Sequence, residues 1–274
     1  TDGKLNPNAQ FLYTGDDRYD DVLLRTGFRQ QYDISASGGT DKVKYYASLG
    51  YLDEPSFVRA SDFKRYTGRA SVDAELFKWL KIGANVGYTN SELNSMSTRW
   101  GRNPGAATGN VMMYVNATHP IVSVWAREKN SDGSIGGYVL DKNGEKVEAG
   151  YANSTYSPVG QTDGNRTAAD VLYDIDSNIN ENKVDLWTSR LYADFMFGDF
   201  KATINFSIDQ HNNRLLKYRN SLSALGQGIG GIMINKYGRT IINSQQLLSY
   251  NKDFGKHHVD AMVGHEYNDN HYEQ

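Results

Sequence analysis

The chain has 274 residues, of which 39% are hydrophobic, and its formal net charge is −3. A nearly neutral chain lacks the basic excess of a nucleic-acid-binding surface, so nucleic acid is not expected as a partner. Since the sequence contains no cysteine, it excludes thiolate catalysis, cysteine zinc sites and disulfides. The 27 glycines and 19 tyrosines, with only 5 prolines, favour strands joined by tight turns.

Residues 28–92 follow a lead-in segment, residues 1–27, and contain four stretches in which apolar and polar residues alternate. In the second stretch the odd positions from Val43 to Tyr51 are apolar, and Lys44 and Ser48 lie between them. A period of two predicts β-strands with two different faces. The links "GGTD" and "FK" between neighbouring stretches have the length of hairpin turns. We therefore predict four antiparallel strands over residues 28–92.

Residues 93–182 lack this rhythm and are predicted to form one long loop. The loop contains aromatic residues among Asn, Asp and Arg, a combination that can stack on sugar rings and bind hydroxyl groups. The candidate substrate-binding residues are Trp100, Tyr114, Trp125, Tyr138, Tyr151 and Tyr156. An alternative is that these aromatic side chains hold the loop to itself or to a lid protein.

Residues 183–274 return to the alternating pattern and are predicted to form four more strands. The first pair turns at Gly198-Asp199 and the second pair at "DFGK", whereas the connection between the pairs, about residues 213–238, is long. Short turns therefore fall at one end of the predicted sheet and long loops at the other. This sorting by length is typical of bacterial outer-membrane barrels, which have short periplasmic turns and long external loops.

The charged residues of the alternating stretches fit a barrel as well. Lipid can solvate the apolar face of such a wall, while a watery lumen accepts charge. The predicted lumen-facing residues are Arg65, Arg69, Asp73, Glu75, Arg190 and Asp194. We expect Asp73 and Glu75 to pair with arginines or to contact a plug. A loop of about 90 residues is unusually long for a complete eight-stranded barrel, so we favour a segment of a larger barrel.

Several short motifs in residues 28–92 resemble the early barrel region of SusC/RagA-type TonB-dependent outer-membrane transporters of Bacteroidetes. They are Ser37-Gly38-Gly39, Lys44-Tyr45-Tyr46, Leu49-Gly50-Tyr51, Arg65-Tyr66 with Arg69, and Trp79 to Asn85. The resemblance implies an all-β, antiparallel transmembrane barrel of 22 strands, of which this chain supplies about eight, with an N-terminal plug outside these residues. It also implies import of oligosaccharides or peptides across the outer membrane. The implied partners are a SusD-like surface lipoprotein and the TonB–ExbB–ExbD complex, which acts through the plug.

No set of residues predicts catalysis, a metal site or a cofactor. His257 and His258 are neighbours at the start of a predicted strand, so their side chains point to opposite faces and cannot easily share an ion. Asp73 and Glu75 have a spacing that glycosidase carboxylates could use, but a charged lumen explains both. A secreted or surface β-sandwich that binds carbohydrate without a pore remains an alternative, and a β-rich glycosidase is the third.

Overall fold

We describe a computed structural model of the chain, in which residues 18–96, 124–125, 127–146, 175–221 and 229–274 are described. One short helix, α1 (Tyr19–Leu23), precedes the first strand. The strands are β1 (Gln30–Gly39), β2 (Val43–Pro55), β3 (Asp62–Phe77), β4 (Leu80–Asn94), β5 (Arg127–Lys129), β6 (Ile135–Tyr138), β7 (Ile179–Phe197), β8 (Phe200–Arg219), β9 (Gly231–Phe254) and β10 (His257–Glu273).

Eight strands form one antiparallel sheet in the order β1-β2-β3-β4-β7-β8-β9-β10. Every strand thus pairs with its neighbour in the chain, apart from the β5–β6 hairpin, which lies in the long loop and forms a separate sheet. Hairpin turns lie along one edge of the large sheet, which we call the turn edge. The connections after β2, β4 and β8 lie along the opposite edge, the loop edge.

The turns at two of the hairpins depend on glycine. Gly198 and Gly255 each begin a two-residue turn and have φ angles of 57° and 65°. A positive φ at the first central position is what a type II′ turn requires, and glycine adopts it without a steric penalty. The sequence pattern at both turns therefore matches the backbone that forms there.

The predicted long connection over residues 213–238 is wrong. β8 continues to Arg219 and β9 begins at Gly231, so the strands pair far beyond the predicted ends. The reason is visible at Arg214, which lies directly opposite Lys236. Both faces of these strand ends carry polar residues, so the alternation disappears from the sequence although the backbone pairing persists.

In the described ranges no second sheet covers the apolar side of the large sheet, and the β-sandwich alternative is therefore wrong. Large apolar side chains in the middle of this side stay exposed, with Leu191 at 47%, Ile204 at 46% and Val263 at 66%. The all-β, antiparallel barrel segment predicted from the sequence is confirmed. Among the described residues, no helix has the length and apolar character needed to cross a membrane.

Candidate functional site

The two faces of the large sheet differ sharply in chemistry. Residues directly opposite each other in an antiparallel pair lie on the same face of the sheet. Val72, Ala84, Leu191 and Phe206 are opposite one another on four successive strands and therefore belong to one apolar face. We call its central part the apolar band. Towards the turn edge it ends at Gly38, Val43, Ala74, Leu80, Phe197, Phe200, Tyr250 and Val259. The band contains no Asp, Glu, Lys or Arg.

Towards the loop edge, the band ends on each strand at a large apolar or aromatic residue. These residues are, in sheet order, Tyr32, Tyr51, Tyr66, Tyr88, Trp187, Ile208, Ile242 and Tyr267. Two positions further towards the loop edge the same face is polar on all eight strands. The polar residues are Gln30, Asp53, Lys64, Asn90, Asp185, Gln210, Thr240 and Asp269.

This boundary crosses the sheet at an angle. Tyr32, Tyr51 and Tyr66 are directly opposite one another on β1, β2 and β3. If the directly opposite residue is followed from strand to strand across the rest of the sheet, the row ends at Glu273 on β10. The boundary residue on β10 is Tyr267, six residues nearer the turn edge than Glu273. Six residues span about 20 Å along a strand, and eight strands span about 34 Å across the sheet, which gives a slope of about 30°. A flat boundary crossing tilted strands produces this pattern, since barrel strands tilt by about 35–45°.

Aromatic side chains contact one another along both limits of the band. At the loop-edge limit the rings of Tyr51 and Tyr66 are 4.9 Å apart and those of Tyr88 and Trp187 are 6.2 Å apart. At the turn edge Phe77 stacks on Trp79 at 5.3 Å, and further pairs join Trp79 to Phe195 and Phe200 to Tyr250. Rows of aromatic residues at two levels are the arrangement found at membrane interfaces.

The opposite, polar face holds all six predicted lumen-facing residues, which the register places on β3 and β7. Two of its carboxylates form ion pairs. Glu75 binds Lys81 at 3.2 Å, and Asp194 binds Lys201 at 2.9 Å. Glu75 and Asp73 pair with Lys81 and Tyr192 and not with arginines, while the alternative expectation, a contact with a plug, stays a prediction. Across the described ranges, Arg65, Arg69 and Arg190 have no ion pair.

The partner of Asp73 is Tyr192, which lies two strands away on β7. The Tyr192 hydroxyl donates a 2.6 Å hydrogen bond to Asp73 Oδ1. To reach it, the tyrosine ring lies across Gly83 on the intervening strand β4, where a Cβ atom would collide with ring carbons of Tyr192 and come within 2.6 Å of Asp73 Oδ1. Three strands are thereby joined through a gap that only glycine leaves open.

Sequence reasoning missed Gly83 and Tyr192 as a pair. Each has the polar parity of its own strand, but alternation within a strand carries no information on which residues of different strands meet. A possible signal was the coincidence of a glycine and a large aromatic residue on the same face of strands expected to be neighbours.

The long loop places two of the predicted substrate-binding residues in the described part of the chain. Trp125 packs against a small hydrophobic cluster and is partly buried. Tyr138 is covered by cations, with Arg127 Cζ 3.6 Å and Lys146 Nζ 3.8 Å from the ring centroid. Both aromatic rings thus contact the protein itself. Trp100, Tyr114, Tyr151 and Tyr156 lie outside the described residues.

The cluster that receives Trp125 lies at the loop edge and is formed by Tyr19, Leu23, Val124 and Ile175. It joins α1 to residues 124 and 175 of the long loop. Arg59, from the connection after β2, donates a 2.7 Å hydrogen bond to Asp176 nearby. Burial raises the pKa of the Asp176 carboxyl, and the Arg59 guanidinium opposes that rise. A local core and the Arg59–Asp176 ion pair therefore hold this part of the loop against α1 and the connection after β2.

Two turns in the same loop are organised by aspartates. Ser134 donates to Asp132 Oδ1 from its hydroxyl, at 2.6 Å, and from its backbone amide, at 2.9 Å, which lowers the pKa of Asp132. The backbone amides of Glu145 and Asn143 lower the pKa of Asp141 in the same way. Within the described residues, no group of three or more His, Cys, Asp or Glu side chains is arranged to hold a metal.

No family model matches the chain. Its sequence is 27% identical to TonB-dependent receptor P3 of Formosa agariphila over 253 residues, which is 91% of this chain and 22% of that protein. It is 28% identical to TonB-dependent receptor SusC of Bacteroides thetaiotaomicron over 113 residues, 41% of this chain and 11% of SusC. The chain thus spans about a fifth of the length of the Formosa receptor P3.

The fold of this chain is similar to that of solved structures of the RagAB peptide transporter. In one of these structures the match covers 97% of this chain and 27% of the transporter chain, with a TM-score of 0.64 and 19% sequence identity. The RagAB importer in its open-open state matches 98% of this chain with a TM-score of 0.63. Together with the sequence relatives, these structures confirm the predicted resemblance to a SusC/RagA-type transporter, of which the chain corresponds to a barrel segment.

Proposed function

We propose that this SusC/RagA-type barrel segment forms part of the wall of an outer-membrane importer. The observation that carries the proposal is the slanted edge of the apolar band. A soluble protein has no reason to keep eight neighbouring strands free of charge up to one straight line, whereas a membrane surface imposes such a line on tilted strands. The polar face then lines the lumen, and Arg65, Arg69 and Arg190 present positive charge to it.

The intact gene product imports oligosaccharides, or alternatively peptides, together with a SusD-like surface lipoprotein, and the TonB–ExbB–ExbD complex drives transport. The similarity to SusC and to the Formosa receptor P3 supports this proposal, and the RagAB structures supply the peptide alternative. The chain itself performs no bond-making step in this proposal. The long loop contributes to the outer vestibule, where Trp100, Tyr114, Tyr151 and Tyr156 are the proposed substrate contacts.

Trp125 and Tyr138 have a supporting role in this proposal. Trp125 stabilises the loop-edge cluster, and the cations over Tyr138 occupy the ring surface that a sugar would need. Stacking on Tyr138 would require displacement of Arg127 or Lys146.

The slanted boundary can be tested with single cysteines, because the 274 residues contain none. Nitroxide labels at Tyr51→Cys and Tyr267→Cys should show the same membrane depth in collision measurements with oxygen and a water-soluble nickel complex. A label at Glu273→Cys, which is in register with Tyr51, should be fully in water. Equal exposure of all three labels, or recovery of the intact gene product as a soluble monomer, would overturn the proposal.

Cargo is tested by deletion of the gene. Loss of growth on one class of glycan, with growth on peptides unchanged, supports oligosaccharide import, and the reverse result supports peptide import. Co-purification of a SusD-like lipoprotein with the tagged protein tests the proposed partner, and its absence from the purified complex would contradict that part.

A further inference from the structure

Part of the long loop lies against α1 and the connection after β2, in a contact on the loop edge that we call the clasp. Two loop residues, Val124 and Ile175, are 0% and 5% exposed there. They pack with residues of α1 and of the connection, namely Tyr19, Leu23, Val58 and Ala60. The Arg59–Asp176 ion pair belongs to the same contact and links the connection directly to the loop.

One side of the clasp is held together by backbone hydrogen bonds. Arg25 N donates to Phe57 O at 2.7 Å, and Arg59 N donates to Leu23 O at 2.9 Å. The Arg25 guanidinium donates two further hydrogen bonds to carbonyl oxygens of the connection. The end of α1 and the connection after β2 therefore form a single rigid unit.

The loop is held to this unit by side chains. Within the described ranges, no backbone hydrogen bond joins Val124, Ile175 or Asp176 to α1 or to the connection. The apolar cluster and the ion pair, in which Arg59 Nη2 lies 2.7 Å from Asp176 Oδ2, make the contact. Side-chain contacts of this kind can separate in a local opening while the backbone structure on both sides persists.

The ion pair is poorly suited to a permanent contact. Burial raises the pKa of the Asp176 carboxyl, and the Arg59 guanidinium lowers it by less. A raised carboxyl pKa means that the surroundings disfavour the ionised form, so the guanidinium does not fully offset the loss of hydration. The pair thus fixes the geometry of the contact without making it more stable than an apolar contact would be.

The backbone beside this ion pair is strained. Ala60, the residue after Arg59, has a φ angle of 58°. In this left-handed region the Cβ of an alanine crowds the backbone, which lowers the population of the conformation by about fivefold or more. Residues held in such conformations are found where surrounding contacts impose them, often at sites of movement. Two features that weaken the clasp therefore lie at adjacent positions of one connection.

We propose that the clasp is a releasable contact, which opens and closes again during import and so lets residues 124–125 and 175–176 move away from α1 and the connection after β2. The strained Ala60 and the half-buried carboxylate keep the closed clasp from becoming too stable to open. This inference rests on the proposed function, because the movement serves the import cycle.

The test strengthens the clasp in the intact gene product. Arg59→Met/Asp176→Leu replaces the ion pair by apolar side chains, and such replacements of buried pairs are often stabilising. Deuterium uptake by residues 19–25 and 175–177 should become about fivefold slower. Growth on the glycan or peptide mixture that the deletion strain cannot use should slow as well. Lys252→Met/Asp199→Leu is the matched control, since it removes another 2.7 Å ion pair at the turn edge and should change neither measurement.

A reversible link tests the same movement if the double variant does not fold. Cysteines at Arg59→Cys and Asp176→Cys are joined by a bis-methanethiosulfonate reagent, and the single-cysteine variants treated alike are the controls. Import of a fluorescently labelled sample of the same mixture by washed cells should fall at least fivefold and return after reduction with dithiothreitol.

Three results would overturn the inference. They are deuterium uptake that is not slower in the Arg59→Met/Asp176→Leu variant, growth that this variant leaves unchanged, and full import by the linked protein. Normal growth of the deletion strain on every glycan and peptide mixture would instead contradict the proposed function.

Discussion

Replacement of Gly83 by alanine should destabilise the sheet even though alanine normally suits a strand better than glycine. A new Cβ at this position would collide with the ring of Tyr192 and crowd Asp73 Oδ1, at 2.6 Å. Tyr192 would have to leave its place across β4, and its 2.6 Å hydrogen bond to Asp73 would be lost. A hydrogen bond to a charged acceptor contributes about 1.5–3 kcal/mol. Because both side chains are partly exposed, we expect a decrease of about 1–2 kcal/mol in the free energy of unfolding.

The matched control is Gly68→Ala on the adjacent strand β3. Its Cβ would meet only Leu49 Cδ2, at an ordinary contact distance of 3.6 Å. Glycine inside a strand costs about 0.5–1 kcal/mol relative to alanine, so this variant should be neutral or slightly more stable. The two substitutions are chemically identical and differ mainly in the face of the sheet that receives the methyl group.

Urea unfolding of the intact gene product in detergent, followed by tryptophan fluorescence and gel mobility, measures both variants. The decisive experiment repeats Gly83→Ala in a Tyr192→Ala background. There the obstacle is gone, and the alanine at position 83 should no longer destabilise the protein. If Gly83→Ala costs the same with and without Tyr192, the packing of the ring over the glycine does not explain the requirement for glycine.

Three further predictions concern the loop and the two faces. Asp132→Ala should increase deuterium uptake by residues 127–146 at neutral pH. In the unmodified protein, uptake by these residues should rise as the pH falls from about 4 through the lowered pKa of Asp132, because the Asp132 carboxylate accepts its hydrogen bonds only above that pKa. Uptake that is independent of both pH and the substitution would contradict this role. Arg127→Gln should uncover one cation-bound surface of Tyr138 and raise its accessibility to collisional quenchers, whereas unchanged quenching would show that Arg127 does not cover the ring in solution. A nitroxide at Leu191→Cys should collide with oxygen and one at Arg190→Cys with the nickel complex, and the opposite result would reverse the assignment of the two faces.

The polar face shows why prediction of single residues was easier than prediction of their contacts. Alternation along β3 sufficed to place Asp73 and Glu75 on the same face as Arg69, since successive residues of a strand point to opposite sides. The partners of these carboxylates lie on other strands, and Tyr192 is 119 residues from Asp73 in the chain. The period of two is the same for every register that differs by an even number of residues, so it cannot select one partner.

The sequence by itself determined the presence of the strands and turns, the two chemically different faces, and the resemblance to SusC/RagA-type transporters. Each of these features depends on residues that are close together in the chain. The tertiary structure decided the register. Register set the slope of the band from Tyr32 to Tyr267 and carried β8 and β9 past the predicted ends. These features depend on backbone hydrogen bonds between strands, which a local pattern of polar and apolar residues does not specify.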